Sequence, residues 1–138
     1  MPCISGQFDP RQGILLPTGV LPPGVLEVSP ADLKIQSSPA LVDTGASHSC
    51  ISEMIVKALG LVPIGMTDVS GVHGAKACPQ FLIDLVITFG ATRFVQRGLR
   101  VTQFEIDAGA PFQILLGRDV LCRGALTISH DGHYTFCL

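Results

Sequence analysis

The chain reads as an all-β protein with one or two short helices, and three observations point that way. Fifteen Gly and ten Pro divide its 138 residues into short segments, with few long periodic stretches between them. From Phe81 to Phe89, apolar Phe81, Ile83, Leu85, Ile87 and Phe89 alternate with Leu82, Asp84, Val86 and Thr88, the period of two expected of a strand. Asp131-Gly132 is a strong hairpin-turn pair, flanked by Ala125–Ile128 and Tyr134–Leu138. A length of 138 residues suits one domain, and no internal repeat or linker divides it.

Taken in order, Ile14–Val20 reads as a strand and Val25–Val28 as a shorter one, with Pro22-Pro23-Gly24 turning the chain between them. Ala31–Pro39 is polar and reads as an exposed loop. Leu41-Val42 then form a buried strand entering Asp43-Thr44-Gly45. Ser52 can cap a short helix over Glu53–Leu59, with Glu53 in its favourable first turn and Gly60 at its exit. Val62–Val69 reads as extended, and Ser70-Gly71-Val72-His73-Gly74 has the composition of a hairpin tip. After the alternating strand, Gly90–Thr92 turns the chain. Phe94–Ile106 gives one or two further strands, with Gly98 as a candidate bulge. Gln113–Leu116 is a fully apolar strand after its first residue, and Arg118–Arg123 forms about one helical turn.

Apolar residues make up 47% of the chain and charged residues 14%, against a usual charged share of about 25%. So little charge leaves apolar area to be hidden against a partner. The formal net charge is −2 and the basic residues are scattered, which argues against nucleic acid as a partner. No apolar run approaches the roughly 18 residues of a membrane span. Arg11–Ala31 has the outline of a signal peptide, but Pro17, Pro22 and Pro23 break its apolar part and it starts late. Five cysteines, an odd number at irregular spacing, fit a reduced, cytoplasmic protein better than a disulfide framework.

The chemistry centres on Asp43-Thr44-Gly45, which occurs once, behind Ala40-Leu41-Val42 and ahead of Ala46-Ser47. An apolar strand delivering an Asp onto a tight turn suits an aspartic peptidase. Two carboxylates about 3 Å apart cannot both ionise cheaply, so they share a proton and titrate as a pair. The ionised one takes a proton from water and the other donates to the scissile carbonyl. One such Asp per chain implies two chains per active site. Gly45 lets the turn close and offers its amide to the carboxylate, and the Thr44 hydroxyl can reach the opposite chain. Ala46 leaves room for substrate backbone beside Ser47.

Ala40–Ser47 resembles the active-site motif of the retropepsins, the retroviral-type aspartic peptidases. Ile114-Leu115-Leu116-Gly117-Arg118-Asp119-Val120-Leu121 resembles the second signature of that family, and Gly71-Val72-His73-Gly74 lies between the two like a flap. Small bacterial members likewise pair a Met-Pro-x-Ile-Ser/Thr-Gly start with a Gly-Arg-Asp-Val-Leu segment and a final hairpin. The resemblance covers nearly the whole chain. It implies a closed β-barrel protomer, a symmetric homodimer, and hydrolysis of peptides bound as extended strands, with no cofactor and no metal. By residue, it implies catalysis by Asp43 with Thr44 and Gly45, and substrate contacts from Ala46, Ser47, Gly71, Val72, His73 and Gly74. Leu115, Leu116, Gly117 and Arg118 would support the site from behind. Viral members often carry an acid in place of Ser47, which pairs with the Arg. Arg118 must therefore find another partner, Asp119 of either chain or a backbone carbonyl. A retropepsin-like fold can also serve as a non-catalytic dimerisation or peptide-binding module.

Other residues read more plainly. On its own, His73 is a solvated loop histidine. His130, His133 and Cys137 have a loosely zinc-like spacing but fall across a hairpin turn with no fourth ligand nearby. Ser47 and His48 are too close in sequence for a nucleophile and base to face one another well. Gly71–Lys76 lacks the Gly-Lys-hydroxyl order of a phosphate loop. Cys50, Cys78 and Cys122 read as small core residues. If both termini join an intersubunit sheet, as the family implies, Cys3 and Cys137 come close, and oxidation would lock or disrupt the dimer.

Overall fold

A computed structural model describes residues 1–25 and 35–138. Ten strands and two short helices make up the described chain, in the order β1 (Cys3–Gln7), β2 (Leu15–Leu21), β3 (Gln36–Val42), β4 (Cys50–Ile51), α1 (Glu53–Leu59), β5 (Gly65–Gly71), β6 (Gly74–Phe89), β7 (Thr92–Gln103), β8 (Ile114–Leu116), α2 (Arg118–Leu121), β9 (Ala125–Ile128) and β10 (His133–Cys137). Strands β2-β3-β8-β4-β7-β6 form a ring, closed by pairing of β2 with β6, so the expected all-β barrel is a closed barrel of six strands. β5 lies outside the ring, hairpinned onto β6.

Burial explains the barrel. Phe81, Ile83, Leu85, Ile87 and Phe89, alternate residues of the second half of β6, are all buried and belong to one core with Leu16, Ile51 and Leu116. Midway along β6 the ladder with β7 shifts register between Ile83 and Leu85. Opposite the shift stands Gly98 at φ 64, the expected bulge. Asp84, 1% exposed, holds it there by accepting from Gly98 N at 2.9 Å and from Gly24 N at 3.1 Å. This carboxylate thereby ties the Pro22-Pro23-Gly24 turn to the bulge.

The helix expected over Glu53–Leu59 has those bounds, with the Ser52 side chain capping Ile55 N and Gly60 left-handed at φ 63. Three expectations need correction. Residues 36–39, expected in a loop, belong to β3. Pro39 is tolerated in β3 because it pairs with Pro17 of β2, and each precedes its strand's outer ladder: β3 joins β8 from Ala40, and β2 joins β6 from Thr18. Residues 31–34, and Val25–Val28 beyond Val25, lie outside the described residues. The strand expected from Val62 starts only at Gly65, where pairing with Gln80 begins.

The third correction concerns the cysteines. β1, β10 and β9 form a separate sheet in that order, and Cys3 stands opposite Cys137 and is disulfide-bonded to it. The termini meet within one chain, so two of the thiols expected to be reduced are paired. Cys122, expected in the core, is exposed, whereas Cys78 is buried. The inner face of the terminal sheet caps the barrel through Tyr134 and Phe136, the latter with its ring 6.2 Å from that of Phe89.

Candidate active site

The Asp43 turn grows out of a strand crossing. β3 and β8 run parallel, with Ala40, Leu41 and Val42 beside Ile114, Leu115 and Leu116. β8 also pairs antiparallel with β4, Cys50 opposite Leu115. The chain therefore leaves β3, loops through residues 43–49, and returns on the far side of β8. Asp43 N donates to Leu116 O at 2.9 Å, so the base of the turn rests on the end of β8.

Within the turn, Gly45 N donates to Asp43 Oδ1 at 3.1 Å, and Ala46 N donates to Asp43 O at 3.2 Å. The carboxylate is half-buried, while Thr44 and Gly45 are exposed. One oxygen is thus oriented by a backbone amide, and the group stays open to the protomer's surface.

The segment after β8 staples this loop from behind. Arg118 N donates to Ala46 O at 2.9 Å and Arg118 Nη1 donates to Thr44 O at 2.9 Å. Of the partners left open for Arg118, the backbone carbonyl is the one observed. A Cβ on Gly117 would lie 2.6 Å from the carbonyl carbon of His48, so only glycine lets the two backbones touch.

Sequence reasoning missed Ser49 and the use made of Asp119. Ser49, 1% exposed, donates from N to Asp119 Oδ2 at 2.9 Å and from Oγ to Asp119 Oδ1 at 2.7 Å. Its Oγ also accepts from Gly117 N at 3.0 Å. Asp119 further accepts from its own helix at Val120 N, 3.0 Å away. The available signal was an Asp in the first helical turn just after Gly-Arg, where a carboxylate finds free amides.

The remaining candidates separate into those at the turn and those away from it. Ser47 Oγ and His48 Nδ1 are 3.0 Å apart beside the turn, both exposed. Gly71 and Gly74 face each other across the Val72-His73 tip of the β5–β6 hairpin, with Gly74 at φ 108. The tip is solvent-exposed, Val72 fully so. Close to the tip, where it faces Val69 two pairs along the hairpin, Lys76 pairs with Glu105, which raises the lysine pKa and lowers the carboxyl pKa. Burial first, then the nearby Asp119 and Asp43, pushes the Cys50 thiol up to about 11, so it stays protonated and unreactive beside the loop. His133 pairs with Asp131 and Gln7, and Cys137 is oxidised, which leaves the zinc-like spacing engaged elsewhere. Two cavities, of 270 Å³ beside α1 and 180 Å³ against β2, exclude Asp43. An open-faced carboxylate on a single protomer need not line an enclosed space.

A family model described as aspartyl protease matches residues 30–120, which include the Asp43 turn and the Gly117-Arg118 support. The chain belongs to the aspartyl protease family. This family member is similar in fold to a retropepsin-like aspartic protease from Rickettsia conorii, with TM-score 0.62 and 15% identity, over 97% of this chain and 89% of that one. It is also similar to the simian foamy virus (mac) protease, with TM-score 0.51 and 16% identity, over 79% of this chain and 92% of that one. No curated protein sequence matches it. The retropepsin-like resemblance read from the two motifs therefore holds at the level of fold and family.

Proposed function

We propose that two copies of this chain form one aspartic endopeptidase site, each contributing Asp43. The observation that carries this reading is a single Asp43 per chain, oriented by Gly45 N, seated on Leu116 O and left open on the protomer's face. A second copy related by a twofold axis brings the two carboxylates into proton-sharing range. The ionised carboxylate then accepts a proton from water as the water attacks the scissile carbonyl carbon. Its protonated partner donates to the carbonyl oxygen. Substrate lies as an extended strand between the paired turns and the two Gly71–Gly74 tips. Backbone hydrogen bonds hold it, and side chains at alternate positions enter opposite pockets. Ala46 and Ser47 line the path beside the turn, and Val72 and His73 cover it.

Digestion of a peptide library, read by mass spectrometry at mildly acidic and neutral pH, tests this. Wild-type protein should cut, and an aspartic-peptidase inhibitor should abolish the cuts. Asp43→Asn should lower the rate by on the order of a thousandfold or more while leaving the fold intact. Peptide binding without cleavage would instead assign the chain to a non-catalytic binding module. Full activity in purified Asp43→Asn protein would exclude the mechanism.

A further inference from the structure

The 270 Å³ cavity beside α1 lies between the start of β3, the helix, and the segment 108–113 that leads into β8. Met54 and Ala58 line it from α1, and Ala108, Ala110 and Phe112 line it from that segment. The alanines leave room, while the methionine and the phenylalanine offer apolar contact to a flat ring. Among the described residues, none that lines the cavity carries a charge.

Gln113 also lines it and is only 8% exposed. Three of its four hydrogen-bonding groups are engaged. Its N donates to Ser38 Oγ at 3.1 Å, its carbonyl accepts from Ser52 N at 3.0 Å, and Nε2 donates to Asp107 O at 3.1 Å. The fourth, Oε1, is buried and has no partner among the described residues. Native interiors leave few acceptors in that state, because an unpaired one keeps the full cost of losing water. The backbone of Gln113 is clamped between β3 and the cap of α1. Its amide is held by the one bond to Asp107 O, so a turn about the side chain presents Oε1 to the cavity.

We propose that this cavity binds a free, neutral aromatic molecule bearing one N–H donor, of which indole is the simplest form. Each attribute follows from the walls. A cavity of about 150 Å³ holds benzene, so 270 Å³ holds a fused two-ring molecule but not a length of polypeptide as well. The occupant is neutral because a charge taken into this lining would go unpaired. An indole N–H is a donor only, which matches a single orphaned acceptor and adds no further polar atom to satisfy. Asp43 does not line the cavity, so the site is separate from the proposed peptidase centre and its test is read without catalysis.

The chain contains no Trp, so selectively excited indole emission in a mixture reports the ligand alone. Titrating the protein into indole should move that emission to shorter wavelength and saturate at one ligand per chain. 1-Methylindole, which lacks the donor, should bind about tenfold more weakly. Gln113→Leu should weaken indole by about tenfold and bring it level with 1-methylindole. Ala58 is exposed on α1, so Ala58→Phe should keep the wild-type unfolding midpoint while filling the cavity and abolishing binding of both ligands. If Gln113→Leu does not fold, the indole and 1-methylindole comparison on wild type still decides. Absence of a saturable shift in wild type overturns the site. So do equal wild-type affinities for indole and 1-methylindole, or undiminished indole binding in Ala58→Phe. Tighter binding of N-acetyltryptophanamide than of indole would give the cavity to a partner's tryptophan and overturn the free ligand.

Discussion

Ser49 shows how a buried hydroxyl can hold two chain segments that are distant in sequence. Its Oγ donates to Asp119 and accepts from Gly117 N, so it joins the loop after Asp43 to the support segment behind it. Replacing it by Ala leaves the Gly117 amide without that acceptor, at a cost of about 1–3 kcal/mol. We expect Ser49→Ala to show that loss in denaturant unfolding and, on the peptidase reading, to lower kcat more than it raises KM, because the shifted group is the turn bearing Asp43. Ser47→Ala, one exposed position beyond Ala46, is the control and should stay within about 0.5 kcal/mol of wild type. Equal unfolding midpoints for the two variants would remove Ser49 from the support of the turn. The Asp43-Thr44-Gly45 turn itself was legible because its residues are contiguous and each is used locally, as the Gly45-to-Asp43 bond shows. The Ser49–Asp119 contact was not, because it joins residues 70 positions apart and no local pattern encodes it.

At the scale of elements, local signals worked where an element is finished by its own residues. α1 is closed at one end by Ser52 and at the other by left-handed Gly60, so its limits could be read directly. β6 could be read from its alternation because one face is the core. β3 was missed over Gln36–Pro39 because its two serines and Pro39 look loop-like. Their extended form is set by the antiparallel partner β2. β1 is too short to carry a periodic signal and is defined by β10 at the other end of the chain. The flap-like hairpin of β5 and β6 combines both cases, since its closure depends on glycine but its tip is solvent-exposed. Gly74 lies at φ 108, where a side chain is strained although nothing stands within 4 Å of a Cβ, whereas Gly71 needs no such backbone. Gly74→Ala should therefore leave global unfolding nearly unchanged and distort the tip by about 1–2 kcal/mol. On the peptidase reading, kcat/KM should fall by about tenfold. Gly71→Ala should be tolerated. Wild-type kinetics in Gly74→Ala would show that the tip does not meet substrate.

For the whole molecule, the barrel is closed by the β2–β6 pairing, and the terminal sheet is closed by a covalent bond between the two ends of the chain. Barrel closure was implied by the family resemblance alone, whereas the many short segments pointed only to strands and turns. The covalent closure was not legible, because an odd count of irregularly spaced cysteines gives no pairing, and only the opposition of Cys3 and Cys137 across β1 and β10 supplies it. That bond spans 134 residues of sequence, so in the chain-entropy account it restricts almost the entire unfolded chain. Such an account gives about 5 kcal/mol for so long a loop, and measured disulfides typically give about 2–4 kcal/mol. Cys3→Ser should therefore lower unfolding stability by about 2–4 kcal/mol, and reduction of the wild type should lower it by a similar amount. Cys50, Cys78 and Cys122 are unpaired, so thiol counting under denaturing, non-reducing conditions should find three free groups, rising to five after reduction. The loss should not be spread evenly. β1 is an edge strand, so amide exchange at Ile4 and Gly6 should accelerate first on reduction, while Ile83 and Leu85 in the barrel keep their protection. Five free thiols before reduction, or an oxidised protein no more stable than Cys3→Ser, would mean that the ends are held by the β1–β10 ladder and its Ser5–Thr135 and Gln7–His133 contacts alone.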